Sequence, residues 1–253
     1  LRLVGSEMCI RDSARLVAAN AVLAGCLPEH LPVVIAAVEA LCAPEFNLQA
    51  IQTTTNPVTA LVVVSGPVVE RLGLNAGGNA LGEGTRANLA IGRAVRMVMR
   101  NVGGAVPGLM DRATHGQPAK IAFCCAENHP QAPQSWPPLH VEKGFAATSS
   151  TVTVIGAEGT LNINTHATDA GELLTVIADA LQRAPANDYL LGLGEPWLLL
   201  SPEHAAVLAR AGLSRAAVRA QLWQRSRLSA GRMASEDLRR TQRVREAELG
   251  PVS

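Results

Sequence analysis

At 253 residues, with 22 basic and 21 acidic side chains and a net charge of +1, the chain lacks the basic excess of a protein that competes for phosphates, so no nucleic-acid partner is expected. Hydrophobic residues make up 48% but aromatic ones only 3%, so Ala, Val, Leu and Ile must fill the core, and no apolar run is long enough to span a bilayer. The five cysteines, odd in number and without a CxxC pair, read as reduced thiols of a cytoplasmic protein rather than a disulfide framework.

Residues 1–13 contain SEMCIRDS, which reads as translated sequencing-adapter sequence from a metagenomic read. They are set aside from fold reasoning, Cys9 with them, and the natural N-terminus is expected to lie outside this sequence. Ala14–Gly25 is helix-like. Pro28 and Glu29 suit a first helical turn, which predicts a helix from about Pro28 to Leu41 that stops before Pro44. LQAIQTT reads as a short strand, and ALVVVSG, Ala60–Gly66, as a stronger one buried on both faces.

Four glycines then fall within eight residues, Gly77–Gly84, ahead of an amphipathic helix from Arg86. Ile91, Ala94, Val95, Val98 and Val102 make its apolar face, Arg93, Arg96 and Arg100 a solvated one, and Gly103–Gly104 its end. AKIAFCCAEN, Ala119–Asn128, reads as the next strand, with Cys124 and Cys125 on opposite faces. A proline-rich segment follows, stiff enough for a lid, and then a strand over Ser150–Gly159. DAGELLTVIADALQRA is an amphipathic helix with Thr168 or Asp169 as its N-cap. Trp197–Ser201 reads as a short strand, Ser201 caps a helix with Pro202 at its first position, and Ser214 caps another.

This alternation predicts an α/β fold: a largely parallel sheet flanked by helices over residues 14–200, a small helical appendage over 201–231, and a charged tail over 232–253. Ligands in such sheets bind beyond the carboxyl ends of the strands, so the polar residues after each strand are the place to look. The glycine cluster fits GxGxxA at Gly82–Ala87 but follows its strand too distantly for a dinucleotide fingerprint, and no Walker sequence occurs, so neither NAD(P) nor ATP is expected. A small anion held by Gly77, Gly78, Asn79, Gly82, Gly84, Arg86 and Asn88 at a helix start is the functional reading; tight packing through left-handed glycines is the plain one.

Glu127, Asn128, His140 and Glu142 bracket the proline-rich segment, and Glu158 and His166 follow the next strand. They suit acid/base chemistry by Glu127 or His140, with Glu142 and His166 orienting them or joining a divalent metal such as zinc, iron or manganese; the plain alternative is hydrogen bonding that ties the loop down. Cys26, just before a helix start, is the candidate nucleophile or redox thiol, against the commoner role of a small buried hydrophobe.

AANAVLAGCLPEHLPVVIAAVEAL, TTTNPVTALVVVSGP, LGLNAGGNALGEGTRANLAIGRAVR, FCCAEN, PLHVEKGF, TVTVIGAEG and LLLSPEHAAVLARAGLSRAAVRAQLW together resemble an uncharacterised bacterial family associated with UGSC-type (seleno)proteins. The resemblance covers about Ala18 to Arg227 and implies a link to thiol/redox chemistry. No Cys-Gly-Ser-Cys motif occurs here, so the implied redox cysteines belong to another domain or protein, or to a part of the chain outside this sequence. Two readings follow. One is an enzyme acting on a small anionic or carbonyl-bearing molecule. The other is a non-catalytic subunit that docks a thiol-redox partner through Ser201–Arg227, where Trp223 stands beside arginines; a homo-oligomer is expected as a further form of association.

Overall fold

The computed structural model describes residues 7–183, 186–190 and 194–249, and the side chain of Cys9 lies outside that description. The chain divides into two compact units, residues 1–130 with 137–161, and residues 131–136 with 162–253.

The first unit holds α1 (Glu7–Ala24), α2 (Leu31–Cys42), α3 (Leu48–Thr53), β1 (Thr59–Ser65), α4 (Val68–Arg71), α5 (Arg86–Asn101), β2 (Cys124–Ala126), α6 (Leu139–Glu142) and β3 (Thr151–Ala157). The fold is mixed α/β, but the sheet is not the largely parallel one expected: it has three strands in the order β2-β1-β3, with β1 parallel to β2 and antiparallel to β3. LQAIQTT is helical, capped by the Asn47 side chain on the Ala50 amide. Trp197–Ser201 forms no strand. In LQAIQTT the helix formers Leu48, Gln49, Ala50 and Gln52, behind that cap, outweigh the β-propensity of Ile51 and Thr53.

Alternation along the strands sorts the side chains into two layers. Val62, Val64, Cys124 and Ala126 face α1, α2 and α5, where Val34, Leu41, Ile91 and Val95 complete the main core. Leu61, Val63, Phe123, Cys125 and Ile155 face the other way and form a smaller cluster. Gly92 lets α5 press on the sheet, since a Cβ there would sit 2.7 Å from the Phe123 nitrogen.

The direction of α5 decides where the site falls. Near its C-terminal half, Arg96 reaches Asp111 at 2.7 Å, Lys120 reaches the same carboxylate at 2.8 Å, and Lys120 also donates to the carbonyl of Val58, just before β1 begins. That end of α5 therefore lies at the N-terminal edge of β1. Its start, Arg86, lies at the other edge, where β1 and β2 end. Arg96 is thus a half-buried ion-pair partner rather than part of a solvated face: its side chain is 15% exposed and that of Asp111 5%. Burial works against the Asp111 charge, but hydrogen bonds from Lys120 and the Ala113 amide, with the Lys120 and Arg96 charges, outweigh it and hold the carboxyl below its usual range.

The second unit is helical: α7 (Ala170–Leu181), α8 (Asn187–Leu190), α9 (Pro202–Arg210), α10 (Arg215–Arg225) and α11 (Ser235–Leu249). Asp169, Ser201 and Ser214 cap their helices through side-chain oxygens. Leu173, Leu174, Ile177, Leu208 and Leu222 pack around Trp136, whose indole donates to the Leu213 carbonyl at 2.8 Å. Residues 235–249, expected within a charged tail, are helical. No single helix among the described residues is long and apolar enough to cross a membrane.

Candidate functional site

Two strand ends, β1 and β2, meet at the edge where α5 begins. Because β3 runs the other way, its carboxyl end leaves from the opposite edge: Thr59 pairs with Ala157. Glu158 follows there, exposed, beside the Gln117 amide that bridges the Pro57 and Ala157 carbonyls at 2.8 Å each. Glu158 is therefore removed from the predicted group by strand direction, which alternation alone does not reveal. His166 belongs to the second unit. There it is exposed on an open hollow of about 610 Å³ with Thr165, Glu203, His204 and Arg210.

On the helix side of the β1–β2 edge, the glycine cluster is tied down by one side chain. Asn88 is buried; its Oδ1 accepts from the amides of Asn75 at 2.8 Å and Thr85 at 3.1 Å and from the Thr85 hydroxyl at 2.9 Å, while its Nδ2 donates to the Asn75 carbonyl at 3.0 Å. Asn75 in turn accepts from the Gly77 amide and donates to the Gly78 carbonyl. Asn79 and Gly84 turn the chain with φ of 60° and 57°, whereas Gly77, Gly78 and Gly82 do not need a positive φ. Asn88 and Asn79 thus serve the loop's own structure. Arg86 is exposed, and its Nε donates to the Gly25 carbonyl at 3.0 Å.

That bond brings Arg86 to Cys26 and His30. Burial pushes the Cys26 thiol up to about 11, and Arg86 offsets only part of the rise. The helix start that led to a prediction of an activated thiol is outweighed by desolvation. His30, not singled out from sequence, is buried and accepts the Leu27 amide on Nδ1 at 3.2 Å. Burial lowers its affinity for a proton, Glu29 acts against that, and Arg86 adds to the lowering. Cys124 and Cys125 are buried in β2, both thiols pushed up by desolvation. Cys42 is exposed.

The other side of the same edge carries the acid/base candidates. The Val64–Ala126 register, continued by the Glu127 amide on the Val64 carbonyl at 2.9 Å, sets Ser65 beside Glu127 on the face of Val63 and Cys125. Both Glu127 carboxylate oxygens face the Leu139 amide, at 2.9 and 3.0 Å, so Glu127 holds the start of α6. His140 comes next, 2% exposed. Its Nε2 lies 3.4 Å from the Ala147 carbonyl, which can only accept, so the neutral ring carries its proton there and leaves Nδ1 a lone pair.

The circuit closes through the turn at residues 146–149. A Cβ on Gly66 would overlap the Ser149 carbonyl, and the Val68 amide donates to Ser150 Oγ at 3.0 Å. Ser65, Glu127, His140 and Ala147 are therefore linked by one ring of contacts at this edge. Two polar atoms there are buried without a hydrogen-bond partner: Ser65 Oγ and His140 Nδ1. Ser65 was visible in the sequence only as the last polar residue of an apolar strand. Glu142, on α6, and Asn128, after β2, are half-buried flanking residues. Among the described residues no three His, Cys, Asp or Glu side chains converge to hold a metal. No family model matches the chain, and no curated protein or solved structure does.

Proposed function

We propose that this protein is an enzyme acting on a small anionic or carbonyl-bearing molecule at the C-terminal edge of β1 and β2, with His140 exchanging the proton. One observation carries the reading: His140 is buried with Nδ1 unpartnered while Nε2 is occupied by the Ala147 carbonyl. A buried ring nitrogen without a partner is costly, and a base oriented by a fixed acceptor on its far nitrogen is what proton transfer requires. Glu127 acts as a positioning residue, because its carboxylate is used on the Leu139 amide that begins the turn bearing His140. Arg86, exposed at the start of α5 on the helix side of the same edge, supplies the charge that would draw an anion in.

The test is a turnover screen of small carboxylates and carbonyl compounds on the wild type and His140→Gln. The variant is expected to lose about 10²–10⁴-fold in kcat on any substrate found. Equal turnover by both proteins would remove His140 from the chemistry.

Trp223 supports the alternative of a docking subunit, since it is 74% exposed on α10 rather than covering the second unit's core. A stoichiometric partner that is lost with Trp223→Ala, in a protein without turnover, would favour that reading.

A further inference from the structure

Ser65 is the second orphan of the site. It ends the central strand, is wholly buried, and its hydroxyl has no hydrogen-bond partner, although hydroxyls rotate freely to find one. Three groups in the same ring of contacts each accept a backbone amide rather than the Ser65 hydroxyl. The Val64 carbonyl takes the Glu127 amide, Ser150 Oγ takes the Val68 amide, and the Glu127 carboxylate takes the Leu139 amide. Ser65 and His140 do not bond to each other, yet both belong to the ring of contacts that runs from β1 through Glu127, Leu139 and Ala147 back to Gly66. A buried hydroxyl without a partner can donate to an incoming oxygen. An imidazole nitrogen with a free lone pair can accept from an incoming O–H.

We infer that Ser65 Oγ and His140 Nδ1 form a donor–acceptor pair that recognises a hydroxy-carboxylate, Ser65 donating to a carboxylate or carbonyl oxygen and His140 accepting the ligand's hydroxyl. This rests on the role proposed for His140 and adds the ligand's chemical class and Ser65 as its specificity-determining residue. A plain carboxylate satisfies only Ser65, and a plain alcohol that donates to His140 brings no second oxygen to accept from Ser65. The pair therefore selects molecules that carry both groups close together.

Glycolate is the smallest such probe and acetate its control without the hydroxyl. The experiment follows the His140 ¹⁵N resonances of the full chain during titration with each, in the wild type, Ser65→Ala and Ser65→Thr. Glycolate is expected to bind in the millimolar range, suited to so few atoms, and to shift Nδ1. Ser65→Ala should weaken it at least tenfold, Ser65→Thr should retain it if the chain folds unchanged, and acetate should bind tenfold more weakly than glycolate. Equal glycolate binding by the wild type and Ser65→Ala, or no glycolate binding by a folded wild type, overturns the inference. If the free protein instead shows the His140 proton on Nδ1, the proposed role of His140 fails as well, and the spectrum distinguishes that outcome from a failure of Ser65 alone.

Discussion

Replacing Ser65 by alanine should stabilise the first unit. The hydroxyl is fully buried and unpartnered, and leaving such a group unsatisfied costs about 1–3 kcal/mol. Removing one oxygen opens a void smaller than a methyl group, which costs less than about 1 kcal/mol. The difference favours the variant by about 1 kcal/mol, roughly 3 °C in Tm for a unit of this size. Tryptophan fluorescence would miss the effect, because Trp136, Trp197, Trp223 and Tyr189 all belong to the second unit. Hydrogen exchange read at the β1 and β2 amides reports the right region. There, about 1 kcal/mol slows exchange around fivefold if those amides open with the unit. Faster exchange in Ser65→Ala would show that the hydroxyl has a partner, a fixed water included, and would remove the orphan on which the donor–acceptor pair is built.

Three further outcomes follow from the same structure. Cys26, with its thiol raised to about 11, should be alkylated by iodoacetamide far more slowly than a free thiol at pH 7.5, with about a hundred-fold less thiolate; mass spectrometry should show its rate rising about tenfold per pH unit up to about pH 10, and reaction at the rate of a free thiol would show that burial does not raise it. Asp111→Asn leaves Arg96 and Lys120 without their anion and should cost roughly 3 kcal/mol in urea unfolding followed by far-ultraviolet circular dichroism. Because the folded Asp111 carboxyl is held below its unfolded value, its contribution is complete above the ordinary carboxylate range and fades as pH falls through the folded pKa, so the wild type and Asp111→Asn should converge in stability in strong acid. Asn88→Ala frees the amides of Asn75 and Thr85 at a buried position and should destabilise the first unit by about 2 kcal/mol, with hydrogen exchange rising first at residues 75–85; unchanged exchange there would mean the loop is held by other contacts.

The local elements were largely legible from the residues. Val62–Val64, boxed by turn residues, could bury itself on both faces only as an inner strand, and Asp169, Ser201 and Ser214 announced their helices by capping chemistry that acts within one turn. The mixed α/β class followed from that alternation. Short-range signals of this kind are carried by the residues that respond to them. Glu127 and His140 could be picked out as a pair of polar residues in an apolar chain, but not that a backbone amide claims the one and leaves a nitrogen of the other bare.

Strand direction, by contrast, is a property of pairing. Ser150–Gly159 has the same alternation whether it runs with β1 or against it, and only its register against Thr59–Ser65 sends Glu158 to the far edge and the turn at residues 146–149 to the near one. Burial is likewise collective. The desolvation that raises the Cys26 thiol, the ion triad that takes Arg96 out of a solvated face, and the burial of Ser65 without a partner each depend on residues outside the local segment. Composition and periodicity determined which segments would be strand, helix and cap, because those preferences act over a few residues. Only tertiary packing decided which polar groups are left without partners, because that depends on what every neighbouring segment has already bonded.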